Sequence, residues 1–215
     1  MHYPICVNLR GKLCLVVGAG EIAERKVESL LAADGRVKVV SPEATPAVEA
    51  WGREGKIAIE KRLFQPSDLT GVFMVFAATD DRKLHEKIFR LCEEKNILLN
   101  VVDVPDLCNF IMPSVLRRGE LMVAVSTNGA SPALSKKVRR ELEKLFGDEY
   151  ELFLEWMKEA RTAILKEVPE QKKRQAIFQG LVDSPVLELL KSGKNSEAEK
   201  IFKEIASSAL WASSQ

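Results

Sequence analysis

One hexapeptide, Gly18-Ala19-Gly20-Glu21-Ile22-Ala23, restricts what this chain can fold into more than any other stretch. It has the form G-x-G-x-x-A. Before it lies the apolar run KLCLVV at residues 12–17, and after it Ile22, Ala23, Val27, Leu30 and Leu31 recur at helical spacing. In a strand–turn–helix context each small residue has a physical task. Gly18 permits the tight turn, Gly20 lets the backbone approach a pyrophosphate, and Ala23 lets helix and strand pack closely. The first N–H groups of the helix then face the anion. Read this way the loop binds a dinucleotide; the alternative is a glycine turn in a fold that binds no nucleotide.

The same alternation continues downstream. RVKVV at 36–40 reads as a second strand ending at Ser41-Pro42, followed by a helix near 44–54 and a short strand near 57–64. VFMVFAA at 72–78 is another apolar strand, 81–95 a helix with Leu84, Ile88, Phe89, Leu91 and Cys92 on its apolar side, and 97–102 a further strand. Strands separated by helices imply a Rossmann-like, doubly wound parallel α/β sheet. After Asp103 the pattern changes. Pro105 and Pro113 break the chain, 121–126 reads as a strand, and Ser131-Pro132 opens a helix reaching about Phe146, with serine as N-cap and proline at the first helical position. From Asp148 onward only helices are expected, one with Phe153, Trp156, Met157, Ala160 and Ile164 on a single face, and another opened by an S-x-x-E capping box at Ser196. The expected division is a dinucleotide-binding domain over 1–112, a small α+β segment over 113–147 for dimerisation and substrate, and an all-helical tail over 148–215.

Composition matters mainly for what it excludes. Over 215 residues, 32 Lys+Arg balance 31 Asp+Glu, so the chain has no basic excess for coating nucleic acid. No apolar run is long enough to span a membrane. The N-terminus has no hydrophobic export segment, which points to a cytoplasmic protein. Cys6, Cys14, Cys92 and Cys108 lie far apart, and there are two histidines, so neither a structural zinc site nor a disulfide framework is expected. The charge is nevertheless uneven: residues 111–146 carry 7 basic against 3 acidic side chains. That is either a solvated helix face or a site for a small polyanion.

Several residues can carry chemistry. Ser41 or Glu43, after the second strand, can bond a ribose hydroxyl, and no Arg or Lys stands directly beyond them to pair a 2′-phosphate, which favours NAD over NADP. Thr79-Asp80-Asp81 follows the strand at 72–78, at the edge where such sheets bind ligands; it is equally readable as a helix cap with carboxylates against the helix dipole. Asp103 follows an apolar strand and can accept a proton while a hydride leaves for a nicotinamide, or it caps a turn before Val104-Pro105. His2 and His85 are poor catalytic candidates, and Cys108 reads as a buried thiol. Ser126-Thr127-Asn128-Gly129, Ser131 and the following Lys136, Lys137, Arg139 and Arg140 suit substrate carboxylates, or form a well-capped surface helix.

YPICVNLRGKLCLVVGAGEIAERK, VVSPE, FAATDD, NVVDVPDLCNFIMPS and AVSTNGASPALSKKVR occur in this order over residues 3–145. Together they resemble the precorrin-2 dehydrogenase family, the N-terminal module of siroheme synthases. The tail resembles that of stand-alone members, with no sign of the methyltransferase domain of fused ones. The resemblance implies NAD-dependent oxidation of precorrin-2 to sirohydrochlorin, in some members joined by insertion of ferrous iron at the same site. It implies a catalytic role for Asp103 and cofactor contacts from Gly18, Gly20, Glu21, Ile22, Pro42 and Glu43. It places Asn109, Phe110, Met112 and Pro113, with Ser126, Thr127, Asn128 and Gly129, on the substrate side, and implies a homodimer. A substrate bearing many carboxylates matches the local basic excess, to which Lys136 belongs, and needs no resident metal. The other readings are an enzyme that both oxidises and chelates, and a non-catalytic NAD-sensing domain.

Overall fold

The computed structural model of the protein describes residues 2–211. The chain forms two compact units that divide between Met112 and Pro113.

The first unit is a parallel sheet of five strands in the order β3-β2-β1-β4-β5. Its elements are β1 (Leu13–Val17), α1 (Glu21–Leu31), β2 (Arg36–Val40), α2 (Pro46–Arg53), β3 (Ala58–Glu60), β4 (Val72–Ala77), α3 (Arg82–Lys95) and β5 (Leu98–Val101). The expected doubly wound architecture is borne out. β1 is flanked by β2 on one side and β4 on the other, so the chain reverses its winding direction between β1 and β4. In sheets of this kind ligands bind outside the carboxyl ends of the strands at that reversal. β1, β2, β4 and β5 are short Val/Leu/Phe-rich runs because both sheet faces are covered. One face, with Cys14, Val16, Val37, Val39 and Phe76, packs under α1 and α2 residues such as Ala23, Val27 and Val48. The other, with Leu15, Val17, Val40 and Val75, packs under Ile88 and Cys92 of α3. Local chemistry sets the helix ends. Thr45 caps α2, with Pro46 in its first turn; Asp81 caps α3 through Leu84 N–H, and Asn96 closes α3 in the left-handed region at φ 52°.

The third strand is shorter than the 57–64 expected. After Glu60 the chain turns into an ion cluster instead of continuing to pair. Asp68, in a 3-10 turn, is buried; it accepts from Arg62 at 2.6 and 2.8 Å, from Lys38 Nζ at 2.9 Å and from Gln65 N–H at 2.8 Å. The Arg62 guanidinium holds the Asp68 carboxyl well below the usual carboxylate range, helped by Gln65 and Lys38 against the cost of burial. A carboxyl depressed in the folded state contributes stability that is present above its ordinary pKa and is lost as the pH falls below it. Asp68→Asn is therefore expected to lower the melting temperature at neutral pH by roughly 5 °C or more. It should also flatten the acid limb of a Tm-against-pH profile; an unchanged acid limb would remove this cluster as its cause.

The second unit contains β6 (Ser114–Arg118), β7 (Leu121–Val125), α4 (Pro132–Leu145), α5 (Glu149–Glu167), α6 (Gln171–Val182), α7 (Val186–Lys191) and α8 (Asn195–Trp211). β6 and β7 form an antiparallel hairpin from Ser114↔Val125 to Arg118↔Leu121, with α4 packed on it. β6 goes beyond the expected single strand: SVLRR buries only Leu116 and shows no clear alternation. Ser131 caps α4 and Pro132 opens it, as expected. The helical tail has its own core, in which Phe153, Ile164, Leu181, Val186 and Phe202 are buried. The capping box at Ser196 is not used, because α8 already starts at Asn195, and Glu199 instead pairs with Lys203 at 2.6 Å. No helix among the described residues is long and apolar enough to cross a membrane.

Candidate dinucleotide and substrate site

All five strands of the sheet run parallel, so the segments that follow them emerge on one edge. This brings together Gly18 to Ile22 after β1, Ser41 to Glu43 after β2, Thr79 and Asp80 after β4, and Asp103 after β5.

The two glycines of the first loop do different work. Gly18 has φ 102°, and a Cβ placed on it would lie 2.2 Å from the Ala78 carbonyl oxygen. The fold itself therefore demands glycine at this position. Gly20 is exposed, has an ordinary φ of −79°, and would present a Cβ to open space. Among the described residues nothing would meet a side chain at Gly20, and its absence leaves room for a closely approaching ligand. Gly20 is also the N-cap of α1, and no side chain caps the helix, so its first N–H groups remain available to an anion. The loop thus fits a dinucleotide pyrophosphate. Glu21 and Ile22 are exposed beside it.

The loop is tied to the neighbouring one. Gly18 N–H donates to Val40 O at 3.0 Å, Thr45 N–H to Ala19 O at 3.0 Å, and the Thr45 hydroxyl to Glu24 Oε2 at 2.7 Å. Sequence reasoning missed Thr45 and Glu24, although a threonine before proline is itself a cap signal. Ser41 is buried, and its N–H donates to Glu60 O, while Pro42 and Glu43 are exposed. Basic residues do stand beside this position, brought there by β3 pairing with β2. Both already have partners: Arg62 is held by Glu60 and Asp68, and Lys61 by Glu49 at 2.5 Å.

After β4 the three candidate residues separate. Asp81 is the helix cap, Asp80 is exposed, and the Thr79 hydroxyl turns inward to His85 Nε2 at 2.9 Å. His85 is 3% exposed, and burial pushes its imidazole down against the pull of the Asp81 carboxylate. It braces Thr79, whose methyl group would lie 3.1 Å from a Cβ on Gly18.

Asp103 is exposed and left-handed, at φ 59°, a conformation that Asp and Asn tolerate better than most residues. Its carboxylate makes no hydrogen bond or ion pair among the described residues, so it does not cap the turn. The Cys108 thiol organises the turn instead, donating to Val101 O at 3.2 Å and Val104 O at 3.3 Å. It is half-buried, and burial pushes its pKa up. Asn109 is firmly engaged: Oδ1 accepts from Leu99 N–H at 2.7 Å, and Nδ2 donates to Ile97 O at 2.9 Å and Glu93 at 3.0 Å. Phe110 packs edge-to-face on Phe76 at 5.7 Å, and Met112 is exposed.

In the second unit, Pro113 is half-buried at the start of the hairpin. The Thr127 hydroxyl accepts from Ser131 N–H at 3.0 Å, and Ser126 Oγ accepts from Asn128 N–H at 3.1 Å. Asn128 and Gly129 form a turn with φ 52° and 86°. Lys136 is exposed on α4 and has no ion partner among the described residues, whereas Arg139 and Lys137 of the same helix pair with Glu143 and Glu141. Among the described residues no group of three or more His, Cys, Asp or Glu could hold a metal ion.

A doubly wound sheet with an open glycine loop at the strand-order reversal defines a dinucleotide-binding protein of the Rossmann class. The chain belongs to the family described as putative NAD(P)-binding, whose sequence model matches residues 5–114. Residues 118–145 match the sirohaem biosynthesis protein central region, and 149–205 the sirohaem synthase dimerisation region; the expected resemblance is borne out. The siroheme synthase of Methylobacillus flagellatus is 38% identical over 95% of this chain and 44% of its own length. That of Nitrosococcus oceani is 34% identical over 92% of this chain and 42% of its own. The chain thus spans less than half the length of these relatives. The solved structure of SirC, precorrin-2 dehydrogenase, shares the fold with a TM-score of 0.78 at 24% identity, covering 94% of this chain and all of that one.

Proposed function

We propose that this chain oxidises precorrin-2 to sirohydrochlorin with NAD, acting as a cytoplasmic homodimer. The observation that carries the reading is the unengaged carboxylate of Asp103, held in a left-handed turn on the same sheet edge as the open Gly20 loop. Gly18, Gly20, Glu21 and Ile22 hold the pyrophosphate side of the cofactor, with Thr79 and Asp80 beside the loop. Ser41, Pro42 and Glu43 lie at the ribose. Arg62 and Lys61, already neutralised by carboxylates, offer no free cation to a 2′-phosphate. NAD supplies the hydride acceptor when bound. Asp103 takes the proton that the macrocycle loses with that hydride, as a general base should when its carboxylate is free to reach the substrate.

Phe110, Met112 and Pro113 are assigned to the substrate side, and Asn109 serves by holding the backbone that carries them. In the second unit Ser126, Thr127, Asn128, Gly129 and Lys136 are assigned to substrate carboxylates, with Thr127 acting through the capped turn. Residues 1–112 then bind the cofactor, 113–147 contribute to substrate and dimer, and 148–215 to the dimer. The likeness of 149–205 to a dimerisation region supports the last assignment.

Anaerobic incubation with precorrin-2 and NAD should produce the sirohydrochlorin absorption spectrum, with NADP supporting a slower reaction. Binding of NAD without turnover would replace this reading with a sensing domain. The same free carboxylate could accept the pyrrole protons released as ferrous iron enters sirohydrochlorin. Adding Fe²⁺ or Co²⁺ to the product tests that second activity directly.

A further inference from the structure

Lys26 lies on α1, one turn beyond the glycine loop, and no part of the function above uses it. Its side chain is half-buried. Its ammonium lies 5.4 Å from the centroid of Phe76, the ring on which Phe110 packs. Burial pushes this ammonium down, and the neighbouring Arg25 adds to the effect, while the charge of Asp103 pulls it back up. Asp103 is therefore within electrostatic reach, yet Lys26 has no ion pair among the described residues.

Lys38 shows what the fold does with a withdrawn cation when the purpose is structural. Its ammonium meets Glu60 at 2.7 Å and Asp68 at 2.9 Å. Lys26 has an aromatic face alone, which compensates desolvation only partly. An ammonium kept short of water, short of a carboxylate partner and close to Asp103 is arranged to receive an anion from outside the chain.

We propose that Lys26 is a substrate-binding residue whose ammonium takes a peripheral carboxylate of the tetrapyrrole and so fixes the macrocycle over Asp103. This rests on the functional reading above and adds a contact from the cofactor-binding unit itself. Phe76 supports the lysine from below, and the Asp103 carboxylate, too distant for an ion pair, leaves its donors free. The substrate then enters a site with one cation to hold it and one carboxylate to take its proton.

The test uses the full chain with Lys26→Met, Lys26→Gln and Lys26→Arg. NAD affinity is followed by fluorescence titration, precorrin-2 kinetics anaerobically, and folding by thermal melting. The neutral variants are expected to melt no lower than wild type, because a desolvated cation has been removed, and to bind NAD as wild type does. Their KM for precorrin-2 should rise about tenfold or more, with a weaker dependence on salt, and Lys26→Arg should recover most of the loss. A KM within twofold of wild type in both folded neutral variants overturns the assignment. So does weakened NAD binding, which would put Lys26 at the cofactor, or a fall in kcat with KM unchanged. If wild type oxidises precorrin-2 and the variants do so equally well, only the Lys26 assignment fails. If wild type neither binds nor oxidises precorrin-2, the functional reading fails and takes this one with it.

Discussion

Asp103→Asn is expected to reduce NAD-dependent oxidation of precorrin-2 by about 10²–10⁴-fold, the range over which a positioned general base acts, while NAD affinity stays at the wild-type value. Asparagine suits this test better than alanine. The residue sits at φ 59°, and Asn accepts the left-handed region as readily as Asp, whereas Ala would add backbone strain. The amide keeps the shape of the carboxylate and removes its basicity. The existing carboxylate makes no hydrogen bond to the described residues, so the substitution should leave the melting temperature within a degree or two of wild type (an order-of-magnitude expectation). Oxidation at the wild-type rate would show that the proton leaves by another route, through solvent or a different base.

The second large effect separates the two glycines. Gly18→Ala should lower the melting temperature of the protein by roughly 5 °C or more, since the strained φ alone costs about 1–3 kcal/mol and the contact with the Ala78 carbonyl adds to it. Soluble yield should fall with it. Gly20→Asp should do the opposite: the fold is kept, because φ is −79° and the Cβ direction is open, while NAD binding is lost through steric and charge conflict with the pyrophosphate. Thermal melting and NAD titration on both variants settle the assignment. If Gly20→Asp binds NAD normally, the pyrophosphate does not sit at this loop.

Most of the first unit was readable from residues because its signals are local. A buried parallel strand is a short apolar run, and the reach from Val17 through Gly20 to Ala23 carries the turn, the close approach and the helix packing in one segment. Ser131-Pro132 announced a helix start by cap chemistry, whereas Thr79-Asp80-Asp81 read equally as a ligand-binding edge and as a helix cap. Non-local effects were less legible. Lys61 and Arg62 come beside Ser41 only because β3 pairs with β2, so reading along β2 alone could not find them. β6 buries a single leucine, directly ahead of two arginines, and becomes a strand through its partner β7. The capping box at Ser196 has the right letters, but the helix begins one residue earlier. Site residues divide in the same way. Position in the chain placed Asp103 at the sheet edge, but only the three-dimensional arrangement reveals that Asn109 pairs along the outer edge of β5, that Thr127 braces a cap, and that Lys26 is within electrostatic reach of Asp103.

The engagement of Asn109 and Cys108 has a consequence for how the protein lives in a crowded solution. β5 is an outermost strand, and its outward backbone groups would invite another chain to add on. Here Leu99 N–H and Ile97 O are taken by the Asn109 side chain, Leu99 O by Asn109 N–H, and Val101 N–H and O by the Cys108 sulfur. Two side chains and one amide thus imitate a neighbouring strand and occupy the template that the β5 edge would otherwise offer. The segment that carries Asp103 to the surface also closes this edge of the sheet to a further strand.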